Sequence, residues 1–398
     1  MSAVVLASAL LLGAVNAEAA TFLVTKTADT ADGACDADCS LREAVVAANA
    51  AAGEDTISLP AGVYVLSQGI LTVTQVLRIV GAGRDATILQ ADGQNFFLFS
   101  GTAGARFEMS DLRLYDPLGL STEVLAAGPS GMQFDFLRVK FIDVTIAQYG
   151  GPIGYTMTIR DAIVQNEHSG DDWLVDTSGT LLIEDSALTG ACIRMGPEVT
   201  IRRSVLRDAE GLSTCWGLVD LGFGIDGHLV IEDSRVEIAG DGANVILARS
   251  LEATDSVITG HVSGSAANVY DATVVRSEIT NTRADDGAAF AFNGVFLRLQ
   301  ESLLRGARGL DLPGGSGTDA VVVNATIIGE NGQSVFDEFG ADMSYQSVTL
   351  VGAYDSVGAA TVVNTIFADG CAQGGANLVS LGGNLDAGGD CGLTEPTD

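Results

Sequence analysis

The chain has 398 residues, with 51 acidic side chains against 20 basic ones and a formal net charge of −31. Its only lysines are Lys26 and Lys140; such a chain cannot neutralise many phosphates, which argues against nucleic acid and anionic membranes and disfavours polyuronates. Forty-nine glycines and seven prolines suit many tight bends, while acidity of this degree serves solubility, salt tolerance or cation binding without choosing among them.

Residues 4–15, VVLASALLLGAV, form an apolar run of signal-peptide length, followed by Ala17, Glu18 and Ala19 as an A-x-A cleavage signature. The n-region lacks a Lys or Arg, and the run is too short to span a bilayer comfortably. These features predict a signal peptide over 1–20, a mature chain from near Thr21 without a transmembrane segment, and a secreted or cell-surface location. Six cysteines in three local pairs agree with an oxidising compartment: Cys35 with Cys39, Cys192 with Cys215, and Cys371 with Cys391. The spacing lacks the paired CxxC units of a zinc site.

Residues 40–51, SLREAVVAANAA, read as one short helix. Ser40 and Glu43 have capping-box spacing; Leu41, Ala44, Val45 and Ala48 share one face; Gly53 is the expected stop. Such a helix could cover the open first turn of a solenoid, where unpaired strand edges invite aggregation. The segment TFLVTKTADTADGACDADCSLREAVVAANAAAGEDTISLPAGVYVL, from Thr21 to Leu66, resembles the amino-terminal module of exported CSLREA-domain proteins, named for the hexapeptide Cys39–Ala44. The remainder, 67–398, resembles the right-handed parallel β-helix (pectin-lyase-like) repeats that follow this module, and the tail NLVSLGGNLDAGGDCGL their closing turns. The resemblance implies fold and export more than activity, since its members are mostly regarded as surface or adhesion proteins.

From Leu112 onward a short phrase recurs, as in IRDAIV, IEDSAL, IRRSVL, IEDSRV, ATDSVI and VVRSEI. Its small central residue marks the repeat at Leu112, Val144, Ala162, Ser186, Ser204, Ser234, Ser256, Ser277, Ser302, Ala325, Val348 and Thr365. A mean spacing of about 23 residues signals a solenoid. The β-branched, alternating phrases exclude helix pairs. The expected fold is therefore all-β, a right-handed parallel β-helix of twelve or more coils with a short amino-terminal capping helix.

Residues at one offset from successive markers should form columns. One before the marker stand Asp111, Asp143, Asp161, Asp185, Arg203, Asp233, Asp255, Arg276, Glu301, Asn324, Ser347 and Asn364. Asp and Asn tolerate left-handed bends, so this column reads as a solvated bend ladder before a metal column. Two before the marker, Arg160, Glu184, Arg202 and Glu232 alternate in sign, as a cross-strand charge ladder would. His168 and His261 fall nearly in phase but four coils apart, and His228 falls on another face, which excludes a shared histidine metal centre.

HSGDDW, His168–Trp173, is superficially similar to the paired aspartates of polygalacturonases, which makes Asp171 and Asp172 weak catalytic candidates. The further NTD, GHG and RIK motifs of that family are absent in order. Trp173 and Trp216 fall nearly in phase two rungs apart, a spacing that would stack sugar rings, with Asp220 for hydroxyl contacts; core filler is the alternative. No cofactor is evident, and calcium has no ligand set beyond general acidity. Together these residues point to an exported, noncatalytic β-helix protein, adhesin-like or contacting an extracellular glycan or cell-surface partner. The alternatives are a polysaccharide lyase or glycoside hydrolase working in a groove along the helix, and an architectural matrix protein.

Overall fold

The computed structural model of the chain describes residues 18–398, apart from 101–103, 119–121, 127–129, 148–153, 167–172, 177–178, 191, 195, 209–217, 223–226, 239–243, 284, 286, 314–318 and 373–376. Each strand pairs in parallel with its equivalent one coil on, giving an all-β solenoid of about twelve turns with three strand faces. The first face carries five-residue strands such as Thr156–Arg160, Thr180–Glu184, Glu198–Arg202 and His228–Glu232. The second carries shorter ones, such as Ile163–Gln165, Ala187–Thr189 and Val205–Arg207, and the third includes Val144–Ala147, Trp173–Asp176, Cys192–Arg194 and Val219–Asp220.

Alternation places one side of each strand inside, where like stacks on like. Met109, Phe136, Ile159, Ile183, Ile201 and Ile231 follow one another in register, and all six are buried. Each such side chain contributes roughly 1.5–3 kcal/mol by leaving water, so stability accumulates coil by coil through neighbour contacts.

The corner between the first and second faces has two residues in each of twelve successive coils, from Asp111–Leu112 to Asn364–Thr365. Its first residue always has a left-handed backbone, with φ between 45° (Arg203) and 58° (Asp111). Its second residue is buried, and in the middle coils it is serine. The Ser186 Oγ accepts the Ala162 N–H (3.1 Å), Ser204 that of Ser186 (3.1 Å), Ser234 that of Ser204 (3.1 Å), Ser256 that of Ser234 (3.2 Å), Ser277 that of Ser256 (3.1 Å) and Ser302 that of Ser277 (3.2 Å). Each hydroxyl donates in turn to the carbonyl two residues before it, as Ser234 does to Glu232 O at 2.6 Å.

One marker assigned from the sequence is misplaced. In the coil after Leu112 the corner is Arg138–Val139, because Lys140 N–H bonds Leu112 O and Ile163 N–H bonds Val139 O. Asp143–Val144 lies at the next corner, where Asp143 also has positive φ (52°). Val139 and Val144 each follow a charged residue and open an apolar–polar–apolar stretch, VKF and VTI, so either register satisfies the pattern.

The helix Leu41–Ala50 covers the first coil and contacts the strands Thr21–Leu23, Asp55–Leu59 and Leu71–Val73. The Ser40 hydroxyl accepts the Glu43 N–H and the Glu43 carboxylate accepts the Ser40 N–H. Leu41, Ala44, Val45 and Ala48 are buried beneath it. Arg42 forms a two-pronged ion pair with Asp29 (2.7 and 3.0 Å) and donates to Gly69 O and Ile70 O. Burial alone would raise the Glu43 carboxyl, but hydrogen bonds from Ser40 N–H, Thr30 Oγ1 and Asp32 N–H outweigh it and hold the pKa at about 2. Cys35–Cys39 closes the turn before this helix, and Cys371–Cys391 ties adjacent coils at the other end. Cys192 is disulfide-bonded; Cys215, its expected partner, lies outside the described residues. No helix among the described residues is long and apolar enough to cross a membrane.

Candidate functional site

The polar columns along the first corner pair within the chain. Three times an aspartate at the left-handed position meets an arginine at the same position one coil on, in a two-pronged contact: Asp111 with Arg138 (2.6 and 2.7 Å), Asp185 with Arg203 (2.7 and 3.0 Å) and Asp255 with Arg276 (2.7 and 2.6 Å). Hydrogen bonds from these guanidinium groups hold the three carboxyls below the usual aspartate range, and the arginines are raised in return. Asp161 instead meets Arg84 at 3.0 Å. The alternating column behaves as its signs imply: Arg160 meets Glu184 at 3.0 Å and Arg202 meets Glu232 at 2.5 Å. An open depression of about 550 Å³ runs beside Asp255, Arg276, Glu301 and Asn324, but Asp255 and Arg276 are already bound to each other. This corner is a structural seam.

The corners flanking the third face behave differently. Between the second and third faces the number of intervening residues runs from none, where Leu303–Asp311 is one continuous strand, to eleven between Val205–Arg207 and Val219–Asp220. Seven residues separate Ile163–Gln165 from Trp173–Asp176, and eight separate Arg235–Glu237 from Ile246–Thr254. In solenoids, insertions of unequal length gather on the surface that meets other molecules.

The carbohydrate-binding candidates fall on this flank. Trp173 opens its strand and pairs in register with Cys192. Asp220 pairs with Arg194, which pairs with Asp176, so Asp220 lies two rungs from the Trp173 strand on the same face. One Asp220 oxygen accepts the Gly222 N–H at 3.0 Å and so secures the following bend. Trp216, Asp171, Asp172 and His168 lie outside the described residues. The remaining histidines are apart: His228 Nδ1 faces Ser250 Oγ at 2.6 Å on the first face, and His261 Nδ1 faces Thr282 Oγ1 at 3.2 Å beyond the second. His261 also borders a depression of about 280 Å³ with Arg207, Asp208, Glu237 and Thr259.

Glu123, which the sequence does not single out, sits on the same face. It is half-buried in the strand Thr122–Ala126, and its N–H and one carboxylate oxygen bond the Asn95 side chain. Burial pushes its carboxyl above the ordinary glutamate value, the one upward carboxyl shift resolved among the described residues. Glu123 pairs with Thr145, and Ala147 with Val175, which brings Glu123 two rungs, roughly 10 Å, from the level of Trp173. The only sequence signal was a glutamate inside an otherwise apolar strand.

Among the described residues, Asp386, Asp390 and Cys391 have the spacing of metal ligands. They do not suit a cation: the Cys391 sulfur is in a disulfide, and the carboxylates already accept backbone N–H groups, Cys371 onto Asp390, and Gly388 and Cys391 onto Asp386.

No protein-family model matches the chain, and none of the curated proteins does. Solved structures do. The chain is similar to the A-module of the Azotobacter vinelandii mannuronan C-5 epimerase AlgE4, with 16% identity, 82% of this chain and 97% of that one covered, and a TM-score of 0.44. It is also similar to tailspike protein 3 of bacteriophage CBA120, at 10% identity, 83% and 54% coverage and a TM-score of 0.43. A third is the catalytic domain of a GH87 α-1,3-glucanase, at 12% identity, 90% and 68% coverage and a TM-score of 0.42. At these values the likeness is one of β-helix architecture, and no residue's role is carried across.

Proposed function

We propose that this chain is an exported β-helix protein, secreted or held at the cell surface, that engages an extracellular glycan along the third face and its flanking insertions. The observation that carries this reading is the contrast in corner length: two residues in each of twelve successive coils at the structural seam, against none to eleven on the flank of Trp173 and Asp220. A surface built only for rigidity has no need of that variation. Contact without turnover is the first reading. Of the described arginines, most are held in ion pairs within the chain, so an uncharged glycan suits the surface better than a uronate-rich one. The amino-terminal segment supports a CSLREA-type module. In its hexapeptide Cys39 forms a disulfide, Ser40 and Glu43 cap the helix, Arg42 clamps Asp29, and Leu41 and Ala44 are buried.

A second reading, a polysaccharide lyase or glycoside hydrolase, draws on Glu123. A carboxyl raised above its ordinary value by burial is the direction a general acid requires, and Asp171 and Asp172 fall in the seven-residue insertion that precedes Trp173. One experiment separates the readings. The folded protein is incubated with neutral and acidic polysaccharides, with calcium and with chelator, while reducing ends, unsaturated products and bound glycan are followed. Retention without product, lost in the Trp173→Ala and Trp216→Ala double variant, establishes contact. Product that disappears in Glu123→Gln establishes an enzyme. Neither retention nor product across the panel leaves an architectural protein.

A further inference from the structure

Asp55 opens the second strand of the coil and is completely buried. One carboxylate oxygen accepts the backbone N–H of Ala20 at 2.8 Å, while the other has no hydrogen-bond partner at all. A buried, half-satisfied carboxylate is costly unless a charged donor completes it. The guanidinium groups that line the same depression, Arg78 and Arg106, are bound instead to Glu108 and Asp135.

The donor beside Asp55 is a single amide N–H, and the sequence supplies a way to change it. Ala17-Glu18-Ala19 places a signal-type cleavage between Ala19 and Ala20. Glu18 and Ala19 are exposed and pass over Gly53, whereas Ala20 is anchored, its carbonyl accepting the Thr56 N–H at 2.8 Å. The bond to be cut therefore joins an exposed segment to the first residue held by the coil.

We infer that cleavage after Ala19 makes Ala20 the mature amino terminus, and that its α-ammonium completes the Asp55 carboxylate as a buried ion pair. The cut rests on the export reading above; the ion pair does not. A signal-type peptidase hydrolyses the Ala19–Ala20 amide with one water, leaving a carboxylate on Ala19 and, once protonated, an ammonium on Ala20. The nitrogen already 2.8 Å from one oxygen then carries three donors and a positive charge, enough to serve both oxygens with charge-assisted bonds. Processing thus converts an orphaned charge into a lock on the first strand, and the mature boundary falls one residue before Thr21.

The test uses chains that run to Asp398 from defined starts, released from a cleavable tag, so that export plays no part. One begins at Ala20 and one at Glu18, and both retain Asp55. Each is treated with an amine-acylating reagent, with Lys26 and Lys140 as internal references. The Ala20 amine should react about tenfold more slowly than the Glu18 amine, the effect of one further pKa unit of protonation. The Ala20 chain should also melt higher, and both differences should vanish in Asp55→Asn. Equal labelling and equal melting of the two wild-type starts would overturn the ion pair, whether or not Asp55→Asn folds. Separately, the amino terminus of exported protein is read by mass spectrometry. Ala20 supports the cut, and another start overturns it. Failure of export removes the export reading and the cut, leaving the ion pair to the first arm.

Discussion

The two sides of this coil obey different rules. The seam between the first and second faces repeats the same two-residue corner in twelve coils, with the same left-handed backbone and a buried second residue. The corner between the second and third faces varies from none to eleven residues. Constancy marks where the chain holds itself, and variation marks where it can meet something else.

Changing each side in the same way gives the largest expected contrast. A glycine inserted between Asp233 and Ser234 would push every following side chain of that strand to the opposite side and is expected to abolish cooperative unfolding. The same insertion within 209–217 should leave the melting curve, followed by circular dichroism, nearly unchanged. Ile201→Ala, in the inner stack, should cost about 2–5 kcal/mol in denaturant unfolding. Ser234→Ala should cost less, about 1–3 kcal/mol, because the buried Ser204 N–H loses its acceptor. If Ser234→Ala proved neutral, the seam would owe its constancy to backbone conformation alone.

Acid should loosen the amino-terminal cap first. Glu43 has a pKa held at about 2, below its ordinary value of about 4.3. Its contribution is therefore present above that ordinary value and is lost as pH falls through about 2. The melting difference between the wild type and Glu43→Gln should be full at pH 6 and shrink steadily below pH 4. A difference independent of pH would mean that the cap works without the charge. The smallest effect is expected at Arg203→Gln: its pair with Asp185 is exposed and screened by salt, so the change in melting should be hard to resolve at physiological ionic strength.

The sequence made the seam legible because its requirements are local. A left-handed residue followed by a buried one leaves Asp-Ser, Arg-Ser or Asn-Ala in the text of six of the twelve coils, and the alternation Arg160, Glu184, Arg202, Glu232 could be read directly as neighbours. What the serine does was not legible, since its hydroxyl serves an amide one coil away and alanine satisfies the same pattern at Ala162 and Ala325. The register around Val139 was lost for a related reason: Arg138-Val139 and Asp143-Val144 both fit the corner pattern. Asp55 and Glu123 gave almost no signal, because burial and orphaned oxygens arise only once distant strands are brought together. The flank was legible only as irregular spacing, which says where a site belongs and not what it binds.

The serine ladder has a direction. Each coil's corner amide is satisfied by the hydroxyl of the coil that follows it in sequence, never by the one before. From Ala162 to Ser277 a coil at the growing edge is thus chemically unfinished until its successor docks, and a nascent solenoid that ends there shows an open donor on its carboxy-terminal side. Assembly has a built-in arrow. Shortening the chain from the amino-terminal side strands no amide of this ladder, whereas stopping after the coil of Ala162, Ser186, Ser204, Ser234, Ser256 or Ser277 leaves one exposed.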